Sequence, residues 1–485
     1  MLSFKKKEVE KMIATFQGGK EKRTLFFSSP TLISELLEKA EISVDFPCSK
    51  QGKCAKCKVR VTGKVSPVSD TEMKLLSKDE LDSGIRLACC TFANGNIHVD
   101  YTISENYFQA FVTKLSDFTE KIDKNSKYDL LYDIGTTSIK TRIIEKQSGK
   151  SYGFSFVNPQ VSFGGDVMSR LKYANDHGLD KLFECVRTPF EMIREKTNAE
   201  NCVVTGNTAM LHFFEKKDTN GMLSYPFTPS EMFGYENDGI YFPPCISAFV
   251  GGDVTCGILK TDLFESNDSL FIDVGTNCEM VFYKNNELLC CSAAAGPAFE
   301  GFSASNGERA KKSSITGVFL KDGKVCFESN TDNPTGLTGS GIIDLISVLL
   351  KTGDMKKDGF LKDNYFIPKT EVFITPEDVR SIQLAKAAVR AGIDMICGEE
   401  KVEKVFVAGN FGNSVNIRNC IDIGMFPEHF IEKTVFVGNS SLDGSQLLLE
   451  KENRDKLKSV IKKCKLVELA GTDEFAKRFL DNLDF

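Results

Sequence analysis

Residues 128–144, YDLLYDIGTTSIKTRII, and residues 268–283, DSLFIDVGTNCEMVFY, decide how this chain folds. Each starts with an apolar run of strand composition and reaches an aspartate, Asp133 or Asp273. Each then turns on a glycine, Gly135 or Gly275, among hydroxyl or amide residues and resumes as a second strand. Cys202–Thr205 and Val405–Ala408 read as further strands that end in glycine-bearing loops, and Ile382–Ile396 reads as a helix between strands. An internal duplication is the economical explanation. It predicts an α/β body of two similar lobes that face each other across a cleft.

The two turns carry chemistry. A carboxylate at the end of a buried strand, Asp133 or Asp273, can hold Mg2+ directly or through water. Gly135 and Gly275 leave room for phosphate, and Thr136, Thr137, Thr276 and Asn277 offer N–H and side-chain groups to wrap it. A third element, VAGNFGN at 407–413, places Gly409, Asn410 and Gly412 after a strand, where a ribose and base can approach the backbone. No Gly-x4-Gly-Lys-Ser/Thr loop and no Gly-x-Gly-x2-Gly run is present, which disfavours the P-loop and dinucleotide folds. In this order the three elements resemble the acetate and sugar kinase, heat-shock ATPase and actin superfamily. That resemblance implies ATP as ligand and Asp253, in FVGGD at 249–253, as the residue that orients the attacking water. A helix cap is the equally weighted alternative for Asp253. Gly339 and Ser340, in GLTGSG at 336–341, read either as a nucleotide contact at a helix start or as a tight helix start alone.

Ahead of this body, FPCSKQGKCAKCKVRV and RLACC supply Cys48, Cys54, Cys57 and Cys89. Cys-x5-Cys-x2-Cys with a distant fourth cysteine is one residue longer in its first interval than the plant-type 2Fe-2S pattern. Structural zinc wants two short Cys-x2-Cys knuckles, and adjacent Cys89 and Cys90 make a poor second one. We therefore read a 2Fe-2S cluster on these four thiols, with Cys90 spare. Histidines 98, 177, 212 and 429 show no ligand spacing.

The 485 residues carry a net charge of −6, so no basic excess points to nucleic acid. No apolar run is long enough to span a bilayer. The first residues lack the apolar core of an export signal, and 16 cysteines suit a reducing compartment, so the expected location is the cytoplasm. Expected boundaries are a basic, partly helical extension at 1–21, a ferredoxin-like β-grasp domain at 22–101, a linker at 102–126 and an actin-like, duplicated ribonuclease H-like ATPase at 127–485.

Ferredoxin domain, linker and two-lobed ATPase in this order resemble the reductive activators of corrinoid proteins. The resemblance runs through NPQVSFGGDVMSRLKYA (158–174), VVTGNTAM (203–210), IDVGTNCE (272–279), AAGPAFEG (294–301), GSGIID (339–344), VAGNFGN (407–413) and FVGNSSLDGS (436–445). It implies ATP-dependent return of a corrinoid from Co(II) to Co(I), with an electron supplied by the cluster and ultimately by a low-potential donor. It also implies a corrinoid protein of a methyltransferase system as partner, and a homodimer as one possible state. Two departures stand out: the first phosphate turn follows Tyr101 by only about thirty residues, and no cysteine lies near Asn306, where relatives usually carry one. The competing readings are a small-molecule kinase with a redox-sensing domain and an activator of another low-potential metalloenzyme.

Overall fold

The computed structural model describes every residue except 1–10, 19–20, 41, 43, 45, 47–49, 51, 53–54, 102–106, 124, 302–303, 309, 399 and 410–414. Of the expected site residues, Cys48, Cys54, Asn410 and Gly412 lie outside the described residues. The chain divides into two compact units, residues 1–113 with 159–170, and residues 114–158 with 171–485.

The first unit is built on a mixed sheet. Its strands are β1 (Met12–Gly18), β2 (Glu21–Phe27), β3 (Thr31–Leu32), β4 (Lys58–Val65), β5 (Ile85–Leu87) and β6 (Phe92–Tyr101), in the order β2-β1-β6-β4-β5 with β3 on β6. β1 runs parallel to β6 and antiparallel to β2, the arrangement of a β-grasp. The helix Ile33–Lys39 buries Ile33, Leu36 and Leu37 at helical spacing. The expectation for residues 1–21 needs correcting. Met12–Gly18 is no helical extension but an interior strand, and the alternation that buries Ala14, Phe16 and Gly18 is the reason.

The expected linker is also more ordered than its composition indicates. Tyr107–Thr119 is a helix with Phe111, Leu115 and Phe118 buried at i, i+4 and i+7. The unit boundary falls inside this helix, between residues 113 and 114.

In the second unit the duplication is plain in the topology. β7 (Tyr128–Ile134), β8 (Ser138–Glu145) and β9 (Ser151–Val157) form an antiparallel meander, and β10 (Ala199–Gly206) lies parallel to β7. The short strands β11 (Tyr235–Asn237) and β12 (Ile240–Phe242) extend this sheet. The second sheet repeats the plan. β13 (Ser269–Val274), β14 (Cys278–Lys284) and β15 (Glu287–Ala293) form the meander, and β21 (Lys404–Ala408) is parallel to β13. β22 (Thr434–Gly438) and β23 (Cys464–Leu466) extend it, while β16 (Ser314–Lys321), β17 (Lys324–Ser329) and β18 (Gly336–Leu337) make a separate sheet and β19 (Tyr365–Phe366) and β20 (Phe373–Ile374) a small hairpin. β7 and β13 are buried almost throughout, as parallel partners covered on both faces must be. The helix Pro376–Cys397 starts at a Thr375–Asp378 capping box and covers the second sheet with Val389 and Ile393. Among the described residues no helix is long and apolar enough to cross a membrane.

Phe16 is fully buried in the first unit's core. Phe16→Ala is expected to cost that unit about 3–5 kcal/mol, read as a lower denaturant midpoint. A solvated extension would show no change.

Candidate functional site

The two hairpins meet at one cavity of about 730 Å3 within the second unit. Asp133, Gly135, Thr136 and Thr137 line it from the first lobe. Asp273, Gly275, Thr276 and Asn277 line it from the second, and Asp253, Gly339, Ser340 and Gly409 complete the wall. The turns differ by one residue: the Gly135 N–H donates to the Ser138 carbonyl at 3.1 Å, the Gly275 N–H to the Asn277 carbonyl at 2.9 Å. Those two glycine N–H groups therefore close the turns, which leaves phosphate to the residues between.

Close approach explains two glycines. A Cβ on Gly409, whose φ is +90°, would stand 2.7 Å from Asp273 Oδ1. On Gly339 it would stand 1.7 Å from the Phe299 carbonyl oxygen. The helix Gly339–Thr352 is capped by the Thr338 hydroxyl, which accepts from the Gly341 N–H at 3.2 Å. Gly251 takes the N-cap position of the helix Gly252–Lys260, and Asp253 lies in its first turn, where it lines the cavity while its Oδ1 accepts from the Val254 N–H at 2.9 Å.

Several residues in or behind the cavity wall were not assigned from the sequence. Glu279 stands directly across the β13–β14 ladder from Asp273, a like-charge pair that is unfavourable by itself. In the first lobe the corresponding place opposite Asp133 holds Lys140. Asn158, fully buried, donates from Nδ2 to the Gly135 carbonyl at 2.8 Å and braces the first turn. Lys114, from the segment read as a linker, also lines the cavity and donates to the Ser155 carbonyl at 2.8 Å. Only strand register reveals the Glu279 pairing. For Asn158 the signal was the NPQ run itself.

The carboxylates resist ionisation together. Burial, followed by the charges of Asp273 and Asp133, pushes Asp253 up to about 8. Burial, followed by Asp253 and Asp273, pushes Glu279 well above the carboxylate range. Burial raises Asp133, with Lys140 pulling the other way. Among the described residues no group of three His, Cys, Asp or Glu side chains is arranged to hold a metal ion by itself. The set instead fits a cation that keeps several waters and shares its remaining ligands with phosphate, the habit of Mg2+.

In the first unit the described cluster thiols converge. The Cys57 and Cys89 sulfurs lie 3.3 Å apart, both buried, and Cys90 Sγ is 3.6 Å from Cys89 Sγ. A tetrahedral ion at ~2.3 Å holds two thiolates about 3.8 Å apart, so this pair fits a shared metal. Without one, the neighbouring Cys57 thiol drives the Cys89 thiol strongly upward.

Comparison with known proteins adds to this geometry. The 2Fe-2S iron-sulfur cluster binding domain matches residues 18–94, the RACo middle region 128–266, and the C-terminal domain of RACo, the ASKHA domain, 267–485. The corrinoid activation enzyme RamQ of Eubacterium limosum is 26% identical over 99% of this chain and 90% of its own. The Co(II) methylated amine-specific corrinoid protein reductase of Methanosarcina barkeri is 27% identical over 74% of this chain and 77% of its own. A solved reductive activator for corrinoid, iron-sulfur protein shares the fold, with a TM-score of 0.67 and 24% identity over 98% of each chain.

Burial and the neighbouring Asp273 and Asp133 push Asp253 up to about 8, so a cation entering the cavity is expected to release a proton below this value. Mg2+ affinity, measured with ATP present, is expected to rise by up to about tenfold per pH unit toward pH 8 and then level. Calorimetry in buffers of different ionisation enthalpy checks it through the released proton. Affinity that stays flat from pH 6 to 8 would contradict the assignment.

Proposed function

The chain belongs to the RACo family, an iron–sulfur domain followed by an ASKHA nucleotide domain, and from that premise we propose that it returns a corrinoid protein from Co(II) to Co(I) in a cycle driven by MgATP. The observation that carries this reading is the pairing, in one polypeptide, of the buried Cys57 and Cys89 thiols with the two-hairpin cavity. The four cysteines 48, 54, 57 and 89 would hold the cluster, which supplies one electron at low potential. Cobalt is the substrate, bound to a partner protein of a methyltransferase system.

The chain's own residues do the rest. Thr136 and Thr137 approach the phosphates from one lobe, and Thr276 and Asn277 from the other. Asp133, Asp273 and Glu279 bias the cavity toward a hydrated Mg2+, and Asp253, which loses its proton when a cation enters, would orient the attacking water. Because the two hairpins belong to different lobes, occupancy of the cavity favours their closure, and loss of phosphate relaxes it. ATP then acts through conformation, with no phosphoryl group passed to a small substrate.

The size of the task is consistent with such a device. A plant-type cluster lies near −400 mV, and the Co(II)/Co(I) couple is lower. Each ~59 mV uphill costs about 1.4 kcal/mol for one electron, so a gap of one to two hundred millivolts is roughly 2–5 kcal/mol. Coupling between sites supplies about 1–3 kcal/mol, and hydrolysis resets the cycle. An upstream reductant, a cytoplasmic location and a homodimeric state belong to the same proposal.

The test mixes reduced protein with a Co(II) corrinoid protein and follows Co(I) absorbance with and without MgATP. Cys57→Ser is expected to abolish reduction. Asp273→Ala is expected to remove only the ATP-dependent part. The proposal fails if nucleotide leaves cobalt reduction unchanged, or if a phosphorylated small molecule accumulates.

A further inference from the structure

We infer that Glu72 is a positioning residue for the Cys89 ligand: its buried carboxylate holds residues 86–91 on the course that sets the Cys89 sulfur beside that of Cys57. The inference rests on the reading that these two thiols bind the cluster.

Glu72 has no exposed surface. It is the third residue of the helix Asp70–Leu75, and a capping box with Ser69 fixes its side chain against its own helix end. Oε2 accepts from the Ser69 N–H and hydroxyl, both at 3.0 Å, and from Arg86 Nη2 at 2.8 Å. Oε1 accepts from Arg86 Nε at 2.9 Å, the Leu87 N–H at 3.0 Å and the Thr91 hydroxyl at 2.9 Å. A carboxylate offers about four lone-pair sites, so this one is saturated. All its bonds beyond Ser69 go to the segment that carries Cys89. Leu87 and Thr91 flank Cys89 by two residues on either side. Arg86 continues the tie to the Ser66 and Pro67 carbonyls, each at 3.1 Å. The Ala88 N–H donates to the Cys57 carbonyl at 3.0 Å and couples the two ligand-bearing segments directly.

Burial by itself would raise the Glu72 carboxyl. The bonds from Arg86, Ser69, Leu87 and Thr91 outweigh it and hold the group at about 2, so it stays ionised. A nearby helix provides an internal control. Glu80 makes the same capping box with Ser77, but at the exposed surface, where its other partner is Lys58. The capping task therefore needs neither burial nor the reach to 86–91.

A purely structural ion pair and a positioning device predict different results. Replacing a buried ion pair with apolar residues of similar size is often neutral for stability. Here, however, the double change Glu72→Leu with Arg86→Met in the full chain also leaves the Leu87 and Ser69 N–H groups without their acceptor, so its unfolding midpoint is expected to fall, and milder variants separate positioning from stability. Loss of an outer partner typically weakens a metal site by roughly 10–100-fold, so cluster release to a chelator should quicken by about tenfold or more. The midpoint potential and the reduced-state paramagnetic spectrum should shift as well. Glu72→Gln and Thr91→Val, which disturb the fold less, should move the same three readouts in the same direction. Wild-type release rate, potential and spectrum in both milder variants would overturn the inference, whether or not the double variant folds. Absence of iron and labile sulfide from the wild-type protein would instead overturn the reading on which it rests.

Discussion

Carboxylates crowded into one cavity favour keeping their protons or sharing a cation, and the cavity between the lobes depends on this constraint. The β13–β14 register sets Asp273 and Glu279 opposite each other on one face of the sheet. Asp253 comes to the same space on a helix start. The mutual repulsion appears in Asp253 and Glu279 as a reluctance to ionise. On the proposed function, a hydrated divalent ion bound with the nucleotide would relieve this repulsion.

The duplication is faithful in topology and unfaithful in charge. The first hairpin sets Lys140 against Asp133, whereas the second sets Glu279 against Asp273. One lobe therefore brings a cation to the shared space and the other brings paired anions. On the proposed function, a Mg-phosphate unit, which carries both signs, would satisfy both lobes in one orientation. Symmetric lobes would accept it either way round.

Much of this was legible in the sequence, and the exceptions have physical causes. Apolar strands that end in Asp and Gly read correctly at β7 and β13 because both are buried on two faces and show as continuous apolar runs. β1 was missed although Ala14, Phe16 and Gly18 alternate, because the charged residues ahead of it dominated the reading. The helix Tyr107–Thr119 was missed for the same kind of reason: Phe111, Leu115 and Phe118 carry a helical period through polar neighbours. Glu279 and Glu72 could not have been found from spacing. The first acts through a cross-strand register and the second through bonds to residues 14 to 19 positions away.

The contact between Gly409 and Asp273 has one more consequence. Gly409, just past β21, lies against the second turn: a methyl group there would stand 2.7 Å from Asp273 Oδ1 and 2.9 Å from the Val274 carbonyl oxygen. Position 409 is therefore a mutational dead end. Any side chain gained there would push on the Asp273 carboxylate and on the backbone of the second turn, so sequence drift that reshapes the pocket has to take place elsewhere around it.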